Sequence, residues 1–375
     1  MTGKERMKTA MDQGISDQVP VMCQMSFGFM LRQTGFSPSE FWLSGDLFSK
    51  GLLYLRKLYD FDGILISLHG HSPNWKTAID RIEKQKEREL VFWKEGGKTI
   101  FPYDDLPTHV PFKINSPKHI SDINPETLPT KIEYIPVSQG LHFPIDPNHK
   151  FDIFDSIVEA AGALYSIHGE VTSPFDYFLD YFGVSEALMS LVSHPVESKA
   201  ILQRYTDGVT QLALEMTEYS VDAIKISSPF AGSGFISPQF YRDFVLPYER
   251  QIAQSVRRKN VHIYTHTCGA IGDRLEMMIE SGISGLECLD PPPLGDVDLA
   301  EAKKRIGSKI FIKGNIDPVH VLLKGTPEII KKDAEEKIRI GNRDGGYILS
   351  TACSIAPHTP SSHVQLLRES ADKLS

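Results

Sequence analysis

Short apolar runs alternate with longer amphipathic stretches through the second half of the chain. The apolar runs have the length of strands and lie at 222–229 (DAIKISSP), 261–268 (VHIYTHTC), 284–290 (SGLECLD), 309–317 (KIFIKGNID) and 346–353 (GYILSTAC). The helical patterns that follow them cover 237–258, 273–281, 299–306, 327–340 and 361–373. Five successive strand–helix units predict a parallel β-sheet covered by helices.

The first half of the chain supplies three further strand patterns. They lie at 18–25 (QVPVMCQM), at 62–68 (DGILISL) and near 169–174. Eight strand–helix units in a chain of this length predict an α/β protein with the (β/α)8 fold, a TIM barrel. We expect residues 1–375 to form one such domain, with its functional residues where the strands lead into helices.

Residues 72–150 interrupt the alternation and are predicted to form an insertion after the second strand. A charged stretch at 76–89 has the pattern of a solvated helix, and 89–103 has the pattern of a hairpin that turns at Glu95-Gly96-Gly97. A proline-rich stretch follows to about Pro147. We expect the insertion to fold over the mouth of the barrel. The alternative is a small separate domain, which its few apolar residues disfavour.

Composition and charge narrow the class of protein. The chain has 375 residues, 41% of them hydrophobic, which is enough for one large core. A formal net charge of −8 argues against a nucleic-acid partner. The charged N-terminal sequence has no signal-peptide core, and no apolar run approaches the ~20 residues that span a bilayer. With four cysteines, these features predict a cytoplasmic protein with free thiols and no membrane partner.

One motif places a histidine and two cysteines at the ends of two predicted strands. His266 and Cys268 are two residues apart and share one face of their strand, while Cys353 ends the last strand. One imidazole and two thiolates suit zinc, and three protein ligands leave a fourth position open, as in catalytic zinc sites. For any one of these residues alone, a buried core side chain is the more common interpretation. Together they favour a catalytic zinc site.

Other polar residues are expected at the same end of the barrel. Glu287 lies in an apolar run, where a carboxylate needs a partner. It is either the ion-pair partner of a lysine or a fourth zinc ligand of the resting site, and both interpretations stay open. Cys288 has the opposite strand parity and is expected to face the helices. The candidate substrate-binding residues at the other strand ends are His69, His71, Ser228, Asn315 and Asp317.

The chain resembles the uroporphyrinogen decarboxylase superfamily over essentially its whole length. The matching segments are MTGKERMKTAMDQGISDQVPV at the N-terminus, LRQTG (31–35), SPQFYRDFVLPY (237–248), IKGNIDP (312–318) and GGYILSTACSIAPHTP (345–360). The last two segments are the specific ones. The superfamily divides into cofactor-free porphyrinogen decarboxylases and zinc-dependent methyltransferases that work with corrinoid proteins.

Three positions separate this chain from the decarboxylase branch. Arg32 matches the first arginine of that branch's RQxGR segment, but Phe36 replaces the second. His69 replaces an aspartate that binds pyrrole NH groups, and Cys353 replaces the histidine of an NLGHG motif. The chain is instead similar to the methylcobalamin:coenzyme M methyltransferases, which have His-x-Cys and a distant Cys. Cobalamin-independent methionine synthase is similar too, with a glutamate near its metal that corresponds to Glu287.

The resemblance implies a zinc-dependent methyltransferase. It would move a methyl group from a corrinoid of the methylcobalamin type to a zinc-activated acceptor such as a thiol. The corrinoid-binding signature DxHxxG is absent from the sequence, so the corrinoid is expected on a partner protein. Two alternatives stay open. One is transfer from a methylated growth substrate to cob(I)amide, with Arg32 and the histidines at 69 and 71 as substrate contacts. The other is a metal-free protein that binds a tetrapyrrole, as a uroporphyrinogen decarboxylase does.

Overall fold

The computed structural model describes residues 1–113, 118–138 and 140–374. In chain order its strands are β1 (Gly63–Ile66), β2 (Ile79–Lys84), β3 (Arg88–Trp93), β4 (Lys98–Pro102), β5 (Thr108–Val110), β6 (Tyr134–Ser138), β7 (Leu141–Pro144), β8 (Ser166–Thr172), β9 (Ala223–Ser227), β10 (His262–Thr267), β11 (Gly285–Cys288), β12 (Phe311–Ile316) and β13 (Tyr347–Thr351). Its α-helices are α1 (Gly3–Met11), α2 (Phe27–Thr34), α3 (Pro38–Leu43), α4 (Gly45–Tyr59), α5 (Asp152–Ala161), α6 (Pro174–Phe182), α7 (Val184–Ser193), α8 (Pro195–Met216), α9 (Pro238–Phe244), α10 (Leu246–Arg257), α11 (Leu275–Ile279), α12 (Leu299–Ile306), α13 (Pro327–Gly341) and α14 (Ser361–Lys373).

Seven parallel strands form one curled sheet, in the order β1-β8-β9-β10-β11-β12-β13. These strands are almost entirely buried, as is typical of a parallel sheet that helices cover. Helices join successive strands, so the protein has an α/β fold, and the five strand–helix units predicted for the second half are present. The register places His266 of β10 beside Ser227 of β9 and Glu287 of β11.

The strand predicted at 18–25 is present only as two isolated parallel bridges. Val21 pairs with Leu349 and Met25 pairs with Ile355. On its other side, the Val21 amide donates to the Asp62 carboxylate at 2.8 Å, and the Asp62 amide donates to the Val21 carbonyl at 2.9 Å. The Asp62 side chain therefore accepts the hydrogen bond that the Val21 amide would donate to a neighbouring strand in a regular β-ladder. The segment lies between β13 and β1, the two edges of the seven-stranded sheet.

The predicted insertion folds mainly as antiparallel β-structure. Strands β2 to β5 form a four-stranded sheet, and β6 pairs with β7. Strands β3 and β4 pair around a turn in which Gly96 and Gly97 have positive φ. The helix predicted at 76–89 is wrong, because pairing of β2 with β3 decides the conformation of this exposed, charged stretch. Residues 114–117 and 139 of the insertion lie outside the described residues.

The helices of the second half begin and end near their predicted residues. Helices α12 and α14 have the predicted bounds, and α13 ends one residue later than predicted. The stretch 237–258 forms two helices, α9 and α10, because Pro247 lacks the amide that a continuous helix would use. Among the described residues, no helix is both long and apolar enough to cross a membrane.

We expect the Asp62 carboxylate to be important for stability. The carboxylate is buried and forms an ion pair with the guanidinium of Arg368. It also lies 3.5 Å from the guanidinium of Arg6. Because Asp62→Asn leaves Arg368 without its buried partner, the free energy of unfolding should fall by about 3 kcal/mol, measured by urea denaturation.

Asp60→Asn is the matched control for this variant. The Asp60 side chain is 68% exposed and lies 3.8 Å from the same guanidinium. An exposed pair of this kind contributes little, so the loss should stay below about 1 kcal/mol. Equal losses in the two variants would contradict a special role for Asp62.

Candidate metal centre

His266, Cys268 and Cys353 converge at the carboxyl-terminal edge of the parallel sheet. The Nε2 atom of His266 lies 3.3 Å from Cys268 Sγ, and Cys268 Sγ lies 3.7 Å from Cys353 Sγ. The three ligand atoms all lie within 4.8 Å of one another. The structure thus brings together the three residues that the sequence predicted as a cluster, from the ends of β10 and β13.

This donor set fits a zinc ion. Tetrahedral coordination with Zn–S bonds of about 2.3 Å separates two sulfur ligands by about 3.8 Å. The Cys268–Cys353 sulfur separation of 3.7 Å is close to that value. Hydrogen bonds from the thiols of Cys268 and Cys288, with His266 beside them, hold the pKa of the Cys353 thiol well below its usual range. The thiolate that a metal requires is therefore favoured at neutral pH.

Cys288 is a further thiol at this cluster, and the prediction that it faces the helices is wrong. Its Sγ donates to the Asp290 carboxylate at 3.3 Å and lies within 4.8 Å of Cys268 Sγ. Cys288 and Leu289 have φ values of 87° and 56°, so the chain leaves the extended conformation at the end of β11. Alternate side chains point to opposite faces only where the backbone is extended. The alternation therefore did not predict that Cys288 lies at this cluster. Burial raises the pKa of the Cys288 thiol well above its usual range.

Glu287 lies beside His266 in a buried network of charges. Its Oε2 atom lies 3.0 Å from His266 Nδ1, the ring nitrogen other than the one nearest Cys268. Its Oε1 atom accepts from Lys313, and Lys225 Nζ lies 3.7 Å from Oε2. Burial alone would raise the pKa of Glu287, but the two lysines hold it well below its usual range. The contacts therefore match the ion-pair interpretation of Glu287.

Three charged residues of this network, Lys225, Lys313 and Glu170, were not predicted from the sequence. Lys225 and Lys313 are fully buried, and Lys225 Nζ lies 2.9 Å from the Glu170 carboxylate. Each of the three is an isolated charge in an otherwise uncharged strand: AIKIS, FIKGNI and SIHGEVT. Because a buried charge needs a partner, these isolated charges are the signal from which a buried network could have been inferred.

A cavity of about 410 Å³ opens beside the cluster, and His266, Cys268 and Cys353 form part of its wall. The insertion contributes Leu106 and Ile135. Other apolar wall residues include Met25, Phe27, Met30, Trp42, Leu179 and Phe230. Polar wall residues include Glu170, Thr172, Asp176, Asp180 and Ser227. A small, mostly apolar molecule can therefore reach the three candidate metal ligands.

The residues predicted to contact substrate are not among the described residues that line this cavity. His69 and His71 are buried against aromatic rings, and burial lowers their pKa values to about 4 and about 3. Both are thus neutral core side chains at neutral pH. Arg32 is exposed near the end of α2.

The remaining three predicted contacts support the backbone near the site. The Ser228 amide donates to the His266 carbonyl at 2.9 Å. The Asn315 side chain donates to the Leu289 carbonyl at 2.8 Å and so supports the turn after β11. The Asp317 side chain accepts from two amides at the start of the π-helical turn Pro318–Leu323. Position at a strand end does not distinguish such structural roles from contact with a substrate.

Comparisons with known proteins give relatives of two kinds. Methylcobamide:CoM methyltransferase MtbA of Methanosarcina acetivorans is 31% identical over 172 residues, which cover 46% of this chain and 48% of that protein. Uroporphyrinogen decarboxylase of Trichodesmium erythraeum is 35% identical over 177 residues, which cover 46% of this chain and 47% of that protein. These matches span about half of the length of the curated relatives.

A solved structure and a family model extend the comparison. The structure described as methyltransferase from Methanosarcina mazei superposes with a TM-score of 0.75 at 21% sequence identity, and covers 100% of this chain and 99% of that chain. The two proteins therefore share a fold. Residues 140–374 match the family model described as Uroporphyrinogen decarboxylase (URO-D). Since this match covers more than half of the chain, the protein belongs to the uroporphyrinogen decarboxylase (URO-D) family.

Proposed function

We propose that this protein is a zinc-dependent methyltransferase, which moves a methyl group between a corrinoid of the methylcobalamin type and a small acceptor such as a thiol. The observation that carries the proposal is the convergence of His266, Cys268 and Cys353 on the wall of a cavity. The name of the M. acetivorans relative, methylcobamide:CoM methyltransferase, supports the same chemistry.

We also propose that residues 1–375 form one (β/α)8 barrel. The Met22 amide donates to the Leu349 carbonyl of β13, and the Val21 amide donates to the carboxylate of Asp62, the residue before β1. These hydrogen bonds support closure of the sheet by the segment 18–25. Leu106 and Ile135 in the cavity wall support an insertion that covers the barrel mouth. The candidate centre would then lie where the functional residues of TIM barrels lie.

The chain's own residues would divide the work of the centre between them. His266 Nε2 and the sulfur atoms of Cys268 and Cys353 would hold the ion, while Glu287 accepts from Nδ1–H and fixes the imidazole. When bound, zinc supplies a Lewis acid that lowers the pKa of a thiol at its open position. The thiolate sulfur would form a bond to the methyl carbon as the cobalt–carbon bond breaks, and the electron pair would stay on cobalt.

The corrinoid is proposed to come from a separate protein that docks over the cavity mouth. The sequence has no DxHxxG signature of a corrinoid-binding module. The four cysteines are free, which agrees with a reducing compartment such as the cytoplasm. The reverse direction, from a methylated substrate to cob(I)amide, would use the same ligands and the same cavity.

Decarboxylation of a porphyrinogen is the second candidate, which the T. erythraeum relative favours. That chemistry places an aspartate at the position of His69. In this protein His69 is fully buried, and its Nδ1 atom lies 3.2 Å from the Lys150 carbonyl, away from the cavity wall. This placement supports methyl transfer over decarboxylation. Formation of coproporphyrin from uroporphyrinogen, followed by chromatography, would reverse that preference.

Zinc content tests the proposed ligands. The purified protein should hold about one zinc ion per chain, as a catalytic site does. Cys353→Ala should lose most of it, because two protein ligands hold the ion far more weakly than three. Cys23→Ala is the matched control, since it removes a buried thiol outside the cluster. Elemental analysis gives the result. Wild-type protein without zinc, or full zinc content in Cys353→Ala, would contradict the assignment.

Methyl transfer is tested by anaerobic incubation of the zinc-loaded protein with methylcobalamin and a thiol, while the corrinoid spectrum is recorded. Cob(I)alamin should form, and Cys268→Ala should abolish its formation, because the variant loses the site that activates and positions the thiol. Glu287→Gln should be less stable, because it leaves the buried Lys313 without its anionic partner. The folded variant should keep its zinc and react about 10- to 100-fold more slowly, since the change weakens a contact to a ligand without removing the ligand.

Two outcomes would contradict these expectations. An unchanged rate in Glu287→Gln would show that the contact with His266 does not position the imidazole for the reaction. If no thiol demethylates methylcobalamin, cob(I)alamin is offered with methylamines, methanol or aryl methyl ethers. Failure of both directions in zinc-loaded protein would overturn the methyl-transfer proposal.

A further inference from the structure

The cavity has several carboxyl groups, but no lysine or arginine lies on its described wall. Its acidic residues are Asp105, Glu170, Asp176 and Asp180, and no lysine or arginine lines it among the described residues. Residues 114–117 and 139, which lie outside the described residues, include no lysine or arginine. A sulfonate or carboxylate that leaves water needs a cation or several N–H donors to compensate for its lost hydration. The described part of the wall offers no lysine or arginine for this purpose.

Lys225, a buried lysine close to this wall, already has two polar partners. Lys225 Nζ lies 2.9 Å from the Glu170 carboxylate and donates to the Gln24 side-chain carbonyl at 2.8 Å. Glu170 and Gln24 both belong to the cavity wall, while Lys225 lies behind them. Two acceptors therefore separate this ammonium group from a molecule in the cavity.

Asp180 presents an unused hydrogen-bond acceptor. Its side chain is only 6% exposed, and Oδ2 binds His142 Nε2 at 2.7 Å and the Tyr134 hydroxyl at 3.2 Å. Its buried Oδ1 atom has no hydrogen-bond partner. A buried carboxylate oxygen without a donor is costly, so an N–H group or a cation from a ligand would stabilise it. Lys118, whose ammonium group lies over the Tyr181 ring, also interacts electrostatically with Asp180.

Asp176 and the aromatic rings of the wall suit neutral or cationic molecules. Burial raises the pKa of Asp176 to about 8, so this carboxyl group is mostly protonated at neutral pH. Phe27 and Trp42 lie edge to face with ring centroids 5.1 Å apart, and Phe230 adds a third ring to the wall. Aromatic rings bind apolar groups and attract cations, whereas they do not compensate an anion.

We propose that the cavity takes a small substrate with an apolar body and a neutral or positively charged end, and that it discriminates against sulfonates and carboxylates. This inference rests on the proposed methyl-transfer function. Coenzyme M, a thiol with a sulfonate, appears in the name of the M. acetivorans relative and would be a poor substrate for this protein. Thiols and methylated amines without an anionic group fit the wall.

Three small thiols that differ in charge test the proposal: 2-aminoethanethiol, 2-mercaptoethanol and 2-mercaptoethanesulfonate. With zinc-loaded protein and methylcobalamin, kcat/KM should be at least about tenfold higher for the cationic and neutral thiols than for the sulfonate, because an uncompensated charge in a closed site is strongly disfavoured. A sulfonate that reacts best would overturn the inference and leave the methyl-transfer proposal intact.

Variants separate the effect of the cavity from the intrinsic reactivity of each thiol. Asp180→Asn should lower the ratio of kcat/KM for 2-aminoethanethiol to that for the sulfonate by about fivefold or more. Asp46→Asn is the control and should keep the wild-type ratio, because the Asp46 side chain is 75% exposed on α4, outside the cavity wall. An unchanged ratio in Asp180→Asn would contradict the role given to Asp180.

Calorimetric binding of the three thiols to wild-type zinc-loaded protein gives a result that needs neither turnover nor a folded variant. Weakest binding of the sulfonate supports the inference even if methyl transfer fails. Tightest binding of the sulfonate overturns it. Failure of the substrate class and failure of the proposed reaction are therefore distinguishable.

Discussion

The candidate centre depends on the contact between the buried carboxylate of Glu287 and the imidazole of His266. The Glu287 carboxylate lies in the middle of the sheet, next to His266 and two fully buried lysines, and a second carboxylate, Glu170, balances Lys225. Such charges are tolerated away from water only as a complete set, because one unpaired member would cost several kcal/mol. The network therefore holds the His266 imidazole in place through its Nδ1 atom. The Nε2 atom of the same ring then lies near the thiol of Cys268.

The curled sheet explains why distant parts of the sequence meet at this imidazole. Parallel strands end at the same edge, so Cys268 after β10 and Cys353 after β13 can approach to 3.7 Å although 85 positions separate them. The turn after β11 adds Cys288 from a third strand. Family membership does not decide what this cluster does, since this chain matches relatives that are named for two different reactions. The donor set at the strand ends is what favours metal chemistry.

The cavity gives the cluster its access, and its wall carries the proposed selectivity. Two thiolates would balance the charge of the proposed zinc ion, so the electrostatic character of the space beside it would come from the remaining wall residues. That wall joins aromatic rings to carboxyl groups, one of them, Asp176, with a pKa raised to about 8 by burial. Leu106 and Ile135, from the predicted insertion, add apolar surface to this wall.

The sequence by itself determined the features that follow from local periodicity. These are the strand–helix alternation, the bounds of α12 and α14, and the shared face of His266 and Cys268. Tertiary structure decided the rest. Pairing with β3 made β2 a strand, aromatic packing made His69 and His71 core residues, and positive φ brought Cys288 to the cluster. Local patterns do not contain these outcomes, because each depends on a backbone torsion or on a partner distant in the sequence.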